Sequence, residues 1–306
     1  MKAVRPRLAG LSAAALAMGA AIAPVATAQP SDAAPPPSCV GATATTAVPF
    51  EIPIVDWSEN VGYDAQENMW VSRLNRNEVQ RYDSAGTLTA TVPVELPGAV
   101  RLGPDGLLYV VYGASPTSVV RPGGIVRFDP SAAAPEPEIF VSGLTMPNGA
   151  AFDARGDLYV ATLSGVVKIR SEAPAEDAWE QFVAAPAASG VAAHDDMVYV
   201  TTNGGPLGRI VRIPISAPEE HSIVADLSAP VAGLPDFADD LLVDSEGIAY
   251  VTTLAGQLVR VDPATGTTCT IVYDQPMTAV ATVPDQPNEL VASTESGAIL
   301  RIRLSR

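Results

Sequence analysis

The chain has 306 residues, 47% of them hydrophobic, two cysteines and a formal charge of −16. Such an acidic surface makes a nucleic acid or an anionic membrane a poor partner, although it suits a protein that gathers a cation. Length and composition are those of one large domain after export, not of a membrane protein with several spans.

The first 28 residues have the three parts of a secretory signal peptide. Lys2, Arg5 and Arg7 precede an apolar run from Leu8 to Ala23, and Ala26-Thr27-Ala28 forms the cleavage motif. The expectation is a secreted, extracellular protein cleaved after Ala28, with its charge at −19 once those three cations are gone. A retained membrane anchor is the other reading, but the run is short and no later stretch approaches ~20 apolar residues.

Residues 29–46, QPSDAAPPPSCVGATATT, read as a Pro/Ala-rich tether, and 47–306 as the folded domain. An oxidising compartment makes a Cys39–Cys269 disulfide plausible, with two unpaired thiols as the alternative.

Six copies of one strand-rich unit follow the tether. Their second strands read MWVSRL (69–74), LLYVVY (107–112), LYVATL (158–163), MVYVTT (197–202), IAYVTT (248–253) and ELVAST (289–294). Each is a short β-branched or aromatic run bounded by turn residues. The third strands place Arg81, Arg127, Lys168, Arg212, Arg260 and Arg301 at one repeated position, which reads as an outward, solvated face. Fourth strands such as LTATVPV (88–94) and TTCTIVYD (267–274) complete most units, but the sixth ends without one. The segment AVPFEIPIVD (47–56) is expected to supply it. The predicted fold is therefore all-β: a six-bladed β-propeller closed by pairing its N-terminal strand with the last blade.

The residue opening the first strand of each unit breaks the repeat. In order it is Glu59, Gly98, Asn148, Ser189, Asp239 and Thr278, so alternate blades carry an acidic or amide side chain and the rest carry small ones. Equivalent inner-strand positions surround the central channel of a propeller, so the three would converge on its axis. Two carboxylates and an amide carbonyl are hard oxygen ligands, suited to one divalent cation. Ca²⁺ comes first, then Mn²⁺ or Mg²⁺; Zn²⁺ is weakened by the lack of His or Cys at the site. The same residues also read as turn caps, since Asn-Gly and Asp-Asp favour turns. Asp239 and the adjacent Asp240 are the candidate catalytic bases. Trp57, Met146, Asp236 and Phe237, just ahead of the same strands, are candidate substrate-binding residues or inter-blade packing. His194 and His221 read as structural or solvated.

The segments 57–83, 146–169 and 238–263 resemble the gluconolactonase and SMP-30 (regucalcin) family of six-bladed propellers. The resemblance implies that Glu59, Asn148 and Asp239 hold one divalent cation. It also implies a metal-dependent hydrolase acting on a small-molecule lactone or similar ester, as a monomer. Many members of that family place a further Asn on the second or fourth blade, where this chain has Gly98 and Ser189, and Gly where this chain has Asp240. A non-catalytic exported propeller that binds a protein or glycan is the alternative function.

Overall fold

A computed structural model describes residues 41–171, 179–205, 207–227 and 236–305. The expected signal peptide, Cys39 and most of the expected tether lie outside these residues. The Cys39–Cys269 pairing therefore has one half outside them as well.

The chain forms six four-stranded antiparallel sheets. After β1 (Ala42–Val48), blade one is β2 (Ser58–Tyr63), β3 (Met69–Arg73), β4 (Glu78–Tyr82) and β5 (Leu88–Pro93). Blade two is β6 (Val100–Leu102), β7 (Leu108–Tyr112), β8 (Gly123–Phe128) and β9 (Glu138–Leu144). Blade three is β10 (Ala150–Phe152), β11 (Leu158–Thr162), β12 (Gly165–Ile169) and β13 (Trp179–Val183). Blade four is β14 (Ala188–His194), β15 (Met197–Thr202), β16 (Gly208–Pro214) and β17 (Ser222–Leu227). Blade five is β18 (Ala238–Val243), β19 (Ala249–Thr253), β20 (Gln257–Asp262) and β21 (Thr267–Tyr273). Blade six is β22 (Met277–Val283), β23 (Gln286–Thr294) and β24 (Ile299–Leu304), with β1 as its outermost strand.

The sixth blade corrects one boundary. β1 pairs with β24 from Ala42↔Leu304 to Val48↔Ile299, so the added strand is 42–48 rather than 47–56, and residues 42–46 belong to the blade rather than the tether. Two causes act together. Ala42 and Ala44 pack against the core while the threonines face out, an alternation that suits a strand. Pro49 and Pro53 lack the N–H a ladder needs. Residues 51–56 instead turn around Asp56, whose Oδ2 accepts from the amides of Glu51 (2.6 Å) and Ile52 (2.8 Å).

The repeated basic residues are not merely solvated. Arg81, Arg127, Lys168, Arg212 and Arg260 lie directly across the ladder from Trp70, Tyr109, Tyr159, Tyr199 and Tyr250. The Arg81 guanidinium sits 5.6 Å from the Trp70 ring centre, and Lys168 Nζ 5.4 Å from that of Tyr159. These two contacts lay a cation over a buried aromatic body, each worth ~0.5–1 kcal/mol. Between blades the core is Val, Ile, Leu and Ala from facing strands, as in the cluster of Val160, Val167 and Ile169 with Val111 and Ile125. Among the described residues, no helix is long and apolar enough to cross a membrane.

Candidate metal centre at the mouth of the channel

The openings of blades two, three and four, ahead of and within the innermost strands β6, β10 and β14, are held to one another by direct backbone hydrogen bonds. The Ala99 amide donates to Asn148 O (3.0 Å) and the Gly149 amide to Ser189 O (2.8 Å). A Cβ on Gly149 would stand 2.4 Å from Ser189 O, so this approach requires glycine. Second-strand hydroxyls brace the next opening in turn: Ser72 Oγ donates to Gly98 O (2.6 Å) and Thr201 Oγ1 to Asp239 O (2.5 Å). These bonds fix the backbone of the position that breaks the repeat, and with it the side chains aimed at the axis.

Four of those side chains meet in pairs. Asn148 Nδ2 donates to Glu59 Oε1 (3.1 Å) and Ser189 Oγ to Asp239 Oδ1 (2.8 Å). The Trp57 indole N–H donates to Glu59 Oε2 (2.7 Å). Burial raises the pKa of Glu59, opposed by its bonds to Trp57 and Asn148. Burial also pushes Asp239 well above the usual carboxylate range, and repulsion from the Glu59 carboxylate adds to it. Two acids that repel each other inside one cup are a donor set a divalent cation would satisfy. A half-turn of the Asn148 amide would present Oδ1 in place of Nδ2. Glu59, Asn148 and Asp239 thus fit a hard cation. Among the described residues, no group of three or more His, Cys, Asp and Glu is arranged to hold a metal, so cation binding here would need the amide beside the two carboxylates.

Asp240 is not placed as a base. It is 3% exposed, and its Oδ2 accepts from Asn60 Nδ2 (3.0 Å) and pairs with Arg101 Nη2 (3.2 Å). Burial raises its pKa, with Arg101 the main opposing influence. Its Oδ1 is buried and has no hydrogen-bond partner among the described residues, which adds uncompensated negative character beside Asp239. Its partners Asn60 and Arg101 lie one and three residues past the openings of their blades, where the opening position alone does not mark them. The signal was present: one residue further on, the six blades read Asn60, Ala99, Gly149, Gly190, Asp240 and Ala279, and three further on only Arg101 is charged.

The four candidate substrate-binding residues separate. Trp57 reaches Glu59, and Met146 lines a cavity of about 230 Å³ together with Asn148 and Ser189. Phe237 is 47% exposed beside the opening of β18. Asp236 is corrected to a structural role: it is fully buried, with Oδ1 accepting from the Ala255 amide (3.3 Å) and Oδ2 from Gln257 Nε2 (2.5 Å), which staples the loop entering blade five. Asn203, unmarked in sequence beyond its turn, grips both sides of Ala238 (Nδ2 to O, 2.9 Å; amide to Oδ1, 3.1 Å) and so sets Asp239. His194 ends β14 at the far end of its strand, and His221 is exposed against Pro218 O.

No protein-family profile and no curated protein sequence matches the chain. Solved structures do resemble its fold. A putative gluconolactonase aligns with a TM-score of 0.65 at 14% identity, over 88% of this chain and 94% of that one. A gluconolactonase from Xanthomonas campestris aligns at 0.64 and 15%, over 91% and 99%. A calcium-binding regucalcin from Agrobacterium tumefaciens aligns at 0.65 and 15%, over 85% and 94%. At these identities the likeness establishes the six-bladed propeller.

Proposed function

We propose that the protein is an exported, divalent-cation-dependent hydrolase of a lactone or similar small ester, acting as a monomer. What supports the reading is the contact of Asn148 with Glu59 and the mutual repulsion of the Glu59 and Asp239 carboxylates, all three residues opening alternate blades. The gluconolactonase and regucalcin neighbours support it.

A cation held by these three residues would polarise the lactone carbonyl and lower the pKa of a water beside it. Trp57 keeps Glu59 in place through its indole N–H. Ser189 holds Asp239 Oδ1 and leaves Oδ2 to accept a proton from an attacking water. Asp240, bound to Arg101 and Asn60, orients the strand beneath rather than moving a proton.

Thermal unfolding with chelator and then with Ca²⁺, Mn²⁺, Mg²⁺ or Zn²⁺ should show a higher midpoint with the preferred ion, because only the folded chain has the site. A lactone panel with that ion then follows. Asp239→Ala should lose both the ion-dependent rise and turnover; full turnover by that variant would sink the mechanism. The mature N-terminus, read by mass spectrometry of secreted protein, should be Gln29.

The alternative, an exported propeller that binds a protein or glycan without catalysis, is favoured by one feature. A Cβ at Gly98 would lie 2.9 Å from Asn148 O and 3.1 Å from Val111 Cγ1, so the second blade has no room for an orienting side chain. Absence of any ion-dependent shift and of any turnover would select it.

A further inference from the structure

The cavity beside Asn148 and Ser189 is lined on its apolar side by Ala114, Pro116, Met146, Leu163 and Ala187, and among the described residues no charged side chain lines it. Its polar side chains are two serines and two asparagines, and each already makes at least one hydrogen bond to the protein. Ser189 Oγ is bonded to Asp239 and Asn148 Nδ2 to Glu59. Asn203 is bonded on both sides to Ala238, and Ser115 Oγ accepts from the Thr117 amide (3.1 Å). A ligand rich in hydroxyls would leave water for a wall with few free partners, at a cost for each unpaired group. A hydrocarbon chain would not.

Two further observations describe the apolar wall. Met146 has a φ of 48°, a left-handed backbone that a long side chain adopts only under constraint, and its amide is fixed to Ser118 Oγ (2.6 Å). Leu163, which lines the cavity, is 45% exposed, so an apolar side chain is presented to a ligand on the cavity wall. At about 230 Å³, the cavity is below the ~300–1,000 Å³ of a site for a whole drug-sized molecule. It takes one substituent.

On this basis, and resting on the hydrolase reading above, we propose that the substrate is a lactone bearing an alkyl side chain, not a polyhydroxylated sugar lactone. The ring lies at Glu59, Asn148 and Asp239, and the chain enters the cavity between the openings of blades two, three and four.

The test uses the purified chain with its preferred divalent ion and two ligand sets. One is a series of γ-lactones with side chains from methyl to octyl, together with gluconolactone. The other is the matching γ-lactams, which resist hydrolysis and report binding by calorimetry. Lactam affinity and lactone kcat/KM should each rise about fourfold per added methylene until the cavity is full. Leu163→Asn should flatten that slope. Affinity independent of chain length, or tighter binding of gluconolactone than of the longer members, overturns the proposal. Chain-dependent lactam binding without turnover of any lactone leaves the cavity as an alkyl-binding site and removes the hydrolase reading, and with it the assignment of a lactone as substrate. Turnover of gluconolactone with no chain dependence does the reverse.

Discussion

Replacing Arg101 by Leu removes the cation that pairs with Asp240. Its guanidinium donates to Asp240 Oδ2 at 3.2 Å and to Asn60 Oδ1 at 2.6 Å, and the Asp240 side chain is 5% exposed against 21% for Arg101. At 3.2 Å and an effective dielectric of about 20, the lost attraction is about 5 kcal/mol. Part returns as Asp240 takes up a proton, and removal of one partner from a buried pair typically costs ~3–5 kcal/mol. Denaturant unfolding in chelator at pH 7.5 should therefore show Arg101→Leu less stable by about 3 kcal/mol or more. The sign with pH follows from Asp240. Without Arg101 its folded pKa rises further above 3.8, so the deficit is full at neutral pH and shrinks as pH falls toward that value. Adding Asp240→Asn should restore most of the loss, since the amide carries no charge to strand. The same single variant should bind Ca²⁺ more tightly, because a cation near the carboxylates has been removed. A deficit under about 1 kcal/mol, or one that stays constant from pH 7.5 to pH 5, would refute the assignment of Arg101 as the counter-charge of Asp240.

Glu59 and Asp239 both have raised pKa values, so the metal-free protein should become more stable as pH falls from neutral toward their ordinary values of 4.5 and 3.8. Saturating Ca²⁺ should remove that trend, and melting curves at pH 7.5 and 5.5 with chelator or Ca²⁺ would check both halves. Gly149→Ala places a methyl 2.4 Å from Ser189 O and 2.7 Å from Gly190 Cα, both backbone atoms that cannot swing aside. It should cost ~1–3 kcal/mol and lower Tm by several degrees in calorimetry. Trp57→Phe keeps the ring but removes the donor to Glu59 Oε2, so Ca²⁺ affinity by calorimetry should fall several-fold with little change in metal-free Tm.

The blades were legible because each strand is a local pattern. MVYVTT or IAYVTT is recognisable alone, and its spacing recurs six times along the chain. β1 was harder: its Thr/Ala alternation resembles a low-complexity tether until β24 gives it a partner. At the site, Glu59, Asn148 and Asp239 were found because they break a repeat, and the propeller's symmetry converts equal sequence position into a shared ring.

What the sequence by itself determined is therefore the architecture and the one residue per blade that faces its mouth. The tertiary structure alone decided how those residues divide their work. Asp239 and Asp240 are neighbours in the chain and equally acidic, yet one opens to the mouth beside Ser189 while the other is buried against Arg101, 139 positions away. Asp236 is likewise drawn away from the mouth by Gln257. Burial and long-range partners set these roles, and neither is encoded in local pattern: a carboxylate's chemistry depends on which charges the closed ring brings within hydrogen-bond reach.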